Sequence, residues 1–111
     1  MGVLASKGGK GEQGMPAYLI ARVRVQDPAA YEEYKRLAAA AIEKFDGRYR
    51  ARGGTMVTLE GDEEKSRVVV VEFPSLDRAQ AWYRSPEYQE AIAARTGCAT
   101  GQFVLVDGLD S

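Results

Sequence analysis

Arginine recurs at alternate positions twice in this chain, at Arg22 and Arg24 and again at Arg48, Arg50 and Arg52. On an extended strand alternate side chains share a face, so each set reads as a stripe of positive charge suited to a carboxylate or a phosphate. Glu72 is the acid available to neutralise Arg22 or Arg24 from a neighbouring strand, which is the purely structural reading. The Arg48 to Arg52 stripe has a structural reading too, because arginines on an edge strand discourage edge-to-edge pairing. Arg52 stands apart: it precedes Gly53-Gly54, whose backbone N–H groups would help it hold an anion. A further set is Trp82, Ser85, Tyr88 and Arg95. Trp82 and Tyr88 either pack on the sheet as core or line a pocket mouth with Ser85. Arg95 follows Tyr88 by two helical turns and falls on the same face, placed to pair with a carboxylate there. Ser85 as a nucleophile lacks a base, since the chain has no histidine.

The missing histidine also removes the commonest metal ligand and the usual proximal haem ligand. Cys98 is the only cysteine, so an intrachain disulfide and a cysteine-cluster metal site are both excluded, and it reads as an inert small residue. No metal and no cofactor are expected. A formal net charge of −1 gives no general attraction to nucleic acid or to an anionic membrane. No apolar run approaches the ~20 residues that span a bilayer. A reducing, cytoplasmic setting fits these features.

The elements that must position these residues follow from pattern. Residues 1–14 are rich in glycine and lysine without periodicity and read as a flexible tail, with Met15 a candidate natural start. From Ala17 to Val25 the chain alternates: Ala17, Leu19, Ala21, Val23 and Val25 form an apolar face, while Tyr18, Ile20, Arg22 and Arg24 form the other. Asp27-Pro28 opens a helix as N-cap and first helical residue. Tyr31, Tyr34, Ala38, Ala41, Ile42 and Phe45 make its buried stripe, and Gly47 is the expected left-handed stop. Arg48 to Arg52 reads as a short strand, Thr55 to Glu60 as a continuing extended stretch, and Gly61-Asp62 as a turn into the strand Arg67 to Phe73. That strand is apolar on both faces. Ser75 and Ser85-Pro86 then start two helical pieces over about 76–84 and 86–95, and Gln102 to Val106 is the last strand.

The order is β-α-β-β-α-β with a broken second helix, the ferredoxin-like pattern: an α+β fold with helices on one face of a four-stranded antiparallel sheet. Its other face would be bare, and a second copy of the same sheet is the simplest cover. Tyr18, Ile20, Arg22, Arg24, Val68, Val70 and Glu72, with Gln102, Val104 and Val106, would then face a space between two sheets, apolar at one end and charged at the other. The expected domain is residues 15–108, followed by a short tail at 109–111.

The segments "YLIARVRVQDPAAYEEY", "ARGGTMVTLEG", "RVVVVEFPSLDRAQAWYRSPEYQEA" and "FVLVDG" resemble the small bacterial proteins grouped as the domain of unknown function 1330 family. The resemblance runs from Met15 to Gly108. It implies a dimeric α/β barrel of two ferredoxin-like protomers and no particular reaction. Relatives in the wider superfamily include cofactor-independent monooxygenases, muconolactone isomerases and haem enzymes, and the missing histidine departs from the haem branch. Three functions therefore stand open. One is a homodimer binding a small anionic or amphipathic molecule between the sheets. Another is a cofactor-independent enzyme using a tyrosine, Glu72 or an arginine. The third is a structural or regulatory dimer with a packed interface. The residues do not decide whether the molecule is an enzyme.

Overall fold

The computed structural model describes residues 15–109; the tail reading at 1–14 and the last two residues lie outside them. Strand β1 (Ala17–Val25) keeps the expected parity, with Ala17, Leu19, Ala21 and Val23 buried and Arg22 and Arg24 exposed. Helix α1 (Pro28–Lys44) starts where Asp27 Oδ1 accepts the Ala30 N–H at 3.2 Å, with Pro28 in the first turn. Such a cap is worth about 1 kcal/mol.

The end of α1 corrects an expectation. The left-handed residue is Asp46, at φ 66°, not Gly47. Gly47 is needed for space: a Cβ there would sit 2.6 Å from Ile42 Cγ2 and 2.9 Å from Phe73 Cε1. Asp46 tolerates the conformation because its short polar side chain suits the left-handed region, and its carboxylate is held by Arg78 at 3.2 Å.

Strand β2 (Arg48–Arg52) is followed by strand β3 (Arg67–Phe73), helices α2 (Leu76–Arg84) and α3 (Pro86–Arg95), and strand β4 (Ala99–Asp107). The sheet runs β2-β3-β1-β4 with every neighbour antiparallel. Strand β4 is longer than expected at both ends, because Ala99 and Thr100 already pair with Val25 and Arg24. Thr55 to Glu60 forms no strand: these residues are exposed and pair with no part of the sheet.

Ser75 caps α2 by accepting the Arg78 N–H at 3.0 Å. Ser85 breaks the helix pair, with its backbone extended at φ −68° and ψ 150°. Its buried hydroxyl donates to the Trp82 carbonyl at 2.7 Å and accepts the Tyr88 N–H at 3.1 Å, so one side chain ends α2 and begins α3. The core lies between this helix layer and the sheet, with Phe73, Val71, Trp82 and Tyr88 essentially inaccessible. Among the described residues no helix is long and apolar enough to cross a membrane.

Candidate functional site

The sheet separates the predicted site residues into two groups. Tyr18, Arg22, Arg24 and Glu72 lie on the open face, where the register sets Tyr18 opposite Glu72, Ile20 opposite Val70 and Arg22 opposite Val68. Arg52, Trp82, Ser85, Tyr88 and Arg95 lie on the helix side or in the helices themselves.

On the open face Arg22 and Arg50 are matched, though not in the expected pairing. Glu72 accepts from Arg50 Nε at 2.8 Å, and Arg22 pairs with Glu64 of the β2–β3 loop at 3.2 Å. Arg24 sits opposite Thr100, with no ion pair among the described residues. The cleft at the β2 edge follows the same logic, with Arg48 and Arg50 facing Glu43, Asp46 and Glu72. Tyr18 and Ile20 are half-buried, while Val104 and Val106 are 46% and 48% exposed, so the other end of this face is apolar and uncovered.

The arginine stripe of β2 does not share one face. A bulge at Arg50 shifts the register: Arg48 pairs with Glu72 and Tyr49 with Val71, but Ala51 then pairs with Val70 and Arg52 with Val69. The extra residue turns Arg52 to the helix side of the sheet, where it stays exposed with its guanidinium 4.3 Å from the centre of the Tyr49 ring. The N–H of Gly53 is not free for an anion, because it donates to the Val68 carbonyl at 2.9 Å. Gly53 serves otherwise. At φ +71° it turns the chain, and a Cβ there would strike the Arg67 guanidinium at 2.2 Å, so the glycine gives Arg67 its place against the backbone.

Arg52 and Arg67 meet Tyr31, Tyr34, Tyr49 and Trp82 around a small chamber of about 30 Å³ between α1 and the sheet. Tyr31 stacks on Tyr34 with ring centres 5.1 Å apart, and the Tyr34 and Tyr88 hydroxyls are hydrogen-bonded at 2.7 Å. Arg95 closes the neighbouring side, its guanidinium 5.3 Å from the Tyr34 ring centre and 4.4 Å from that of Phe103. It stacks on aromatic faces rather than pairing with a carboxylate. Beside the chamber, a groove of about 300 Å³ between α2 and β4 shares Leu19, Trp82 and Phe103 as walls.

Three buried donors in this region have no acceptor among the described residues: Arg67 Nε, Trp82 Nε1 and an Nη of Arg95. Arg52, Arg67 and Arg95 likewise form no ion pair there. Leaving such a donor unmatched costs about 1–3 kcal/mol, and more when it is charged. The tyrosines do not supply a compensating negative charge. Burial pushes the Tyr34 phenol far above its ordinary range, and the Tyr88 hydroxyl beside it pushes it further. Burial also raises Tyr31, which the charge of Arg67, a side-chain hydrogen bond from Arg67 and the charge of Arg95 partly oppose. Tyr49 and Tyr88 are raised by burial as well. At neutral pH these phenols are neutral, and the chamber lining contains no carboxylate. It is a site of donors and positive charge without a base. No group of three metal-ligating side chains occurs among the described residues.

The sequence singles out Arg52, Trp82, Tyr88 and Arg95, which all lie on this side of the sheet, but it reads Arg67 only as the start of a strand and Tyr31 and Tyr34 only as core. The signal was present: three tyrosines on buried faces, where phenylalanine would pack as well, each carry a hydroxyl that needs a partner.

Solved structures share the fold. A protein of unknown function from Rhodopseudomonas palustris aligns with a TM-score of 0.71 at 21% identity, covering 89% of this chain and 86% of that one. SnoaB, a cofactor-independent oxygenase from Streptomyces nogalater, aligns with a TM-score of 0.63 at 19% identity over 87% of this chain and 96% of its own. A dimeric ferredoxin-like protein of unknown function from Thermobifida fusca aligns at 0.50 and 20% identity, over 87% and 92%. No curated protein is significantly similar in sequence. With the ferredoxin-like order, the broken second helix and a family model matched over residues 16–109, this chain belongs to the family of the domain of unknown function 1330.

Proposed function

We propose that the protein is a homodimer in which each protomer binds a small anionic, partly apolar molecule in the chamber between α1 and the sheet. The carrying observation is a pair of unpaired buried donors on residues that line the chamber, Arg67 Nε and Trp82 Nε1, with a third on Arg95, which stacks on the lining rings of Tyr34 and Phe103. An oxygen anion in the chamber would give the lining donors an acceptor and offset the charge of Arg52 and Arg67. We put the ligand on the helix side of the sheet rather than between two sheets, since Arg22 and Arg50 of the open face already have carboxylates and no unpaired donor is buried there among the described residues. The open face is left to dimerisation. Tyr18, Ile20, Val70, Val104 and Val106 form an apolar surface there that a second copy would cover about a two-fold axis. The described relative from Thermobifida fusca is a dimer, which supports the pairing. A cytoplasmic setting suits the buried free Cys98.

Native mass spectrometry of freshly purified protein tests both halves. The expected spectrum is a dimer of 12.1 kDa chains with a small organic anion on each. A folded monomer would remove the dimer. A bare dimer whose thermal stability no small carboxylate raises would remove the ligand.

The same donors also support a second reading, in which the site stabilises a substrate's enolate or phenolate oxygen during a cofactor-independent oxygenation or isomerisation. The likeness to SnoaB favours this class. Since the chamber lining offers no base, the substrate would arrive ionised or lose its proton to water. Oxygen uptake with a panel of phenols separates turnover from binding alone.

A further inference from the structure

The chamber is too small for a whole ligand. At about 30 Å³ it holds the equivalent of one water, enough for a compact polar head and no more. The groove beyond Trp82 and Phe103 is about ten times larger, at about 300 Å³. Its walls are Leu19, Trp82, Tyr83, Phe103 and Leu105, rings and branched aliphatics that favour a flat apolar body. Polar groups occur at Gln80 and Arg84, on the α2 side. Trp82 is a wall of both spaces, with Leu19 and Phe103; it is 1% exposed, and its indole N–H has no acceptor among the described residues.

We propose that the α2–β4 groove seats the body of the ligand while its anionic head reaches the chamber, which makes the ligand a planar aromatic carboxylate. This rests on the binding reading above and adds the body subsite, the orientation and the chemical class. Charge complementarity chooses an anion, because Arg67 and Arg95 have no carboxylate among the described residues. Chamber size admits little more than one oxygen of the head, which a flat carboxylate can present more easily than the bulkier phosphate. The stacked walls choose a planar body over a branched one.

The test uses the full-length protein with 2-naphthoate, its neutral isostere 2-naphthamide, and acetate as the head alone. Affinity is read by calorimetry, and the site by the indole N–H resonance of Trp82, which is unambiguous because the chain has one tryptophan. We expect 2-naphthoate to bind at least about tenfold tighter than acetate or the amide and to move the indole resonance. Leu105→Phe and Gln80→Phe fill the groove from opposite walls without touching the chamber. Either should weaken naphthoate by about tenfold and leave the acetate response unchanged. Two variants are used so that a folding defect in one does not decide the result. Naphthoate binding that ignores both variants would overturn the groove, as would acetate moving the indole while naphthoate does not bind; the chamber reading survives either result. Equal affinity for naphthoate and the amide would overturn the anion. If neither acetate nor naphthoate moves the indole, groove and chamber fall together.

Discussion

The two faces of this sheet both carry arginines and treat them in opposite ways. On the open face Arg22 and Arg50 end on Glu64 and Glu72 at 3.2 and 2.8 Å, in water, where such pairs are cheap to make and worth little. On the helix side Arg52 and Arg95 end on aromatic rings, and Arg67 Nε meets no acceptor. Carboxylates thus reach Arg22 and Arg50 where solvent would have tolerated their absence, while the partly buried Arg67 and Arg95 have none among the described residues. A fold selected for stability alone would have done the reverse. Retained strain of this sort is the usual mark of a site whose remaining partner comes from outside the chain.

The sharpest way to break the comparison is to place the same acid on each face of β3. Val71→Asp buries a carboxylate at a position with no solvent access and should cost at least about 3–5 kcal/mol, leaving little folded protein by circular dichroism. Val70→Asp, one residue away on the open face, should keep the protomer folded and dissociate the proposed dimer, which sedimentation reads directly. If both variants unfold, or neither changes assembly, the two faces are not distinct in the way described.

Next in size is the effect of removing a cation. Arg67→Met should raise the stability of ligand-free protein by about 1–2 kcal/mol, since it removes an unmatched buried donor, while abolishing carboxylate binding. A fall in stability would show that Arg67 is already satisfied. On the open face Arg22→Met should change stability by less than about 1 kcal/mol, the value of an exposed pair.

Alkaline pH probes the helix side alone. The phenols of Tyr31, Tyr34, Tyr49 and Tyr88 are raised above the ordinary 10.0, so the folded state holds these protons more tightly than the unfolded one. Their stabilising contribution is complete below pH 10 and is lost as pH rises above it. The melting temperature should be flat from about pH 8 to 9 and fall beyond about 10. Tyr34→Phe should flatten that decline. A decline that Tyr34→Phe leaves untouched would place its cause outside the chamber.

Much of this architecture was legible because it rests on local rules. The alternation of β1, the Asp27 and Ser75 caps and the double role of Ser85 each depend on residues within a few positions of one another. The parts that were not legible depend on long-range geometry. Arg-Tyr-Arg-Ala-Arg reads as perfect alternation, and only pairing with β3 reveals that Arg50 is extra. The partner of Arg22 was missed because Glu64 comes from a loop, and loop paths carry no period. The extended stretch expected at Thr55 to Glu60 joins no strand, because β3 already has both its neighbours and the segment does not pair with the outer edge of β2. The chamber itself escaped notice because Tyr31, Tyr34 and Arg67 all satisfy simple core or strand patterns, and only their convergence distinguishes them.

The bulge at Arg50 has a consequence for how such sites arise. Deleting one residue from β2 would restore strict pairing with β3 and carry Arg52 across to the solvent side, leaving the sheet order and the helix layer as they are. A single-codon insertion or deletion in an edge strand can therefore add or withdraw a charged group from an interior cavity without any change to the residues that build the fold. Length variation at this edge is a route by which related chains could acquire different ligands on one scaffold.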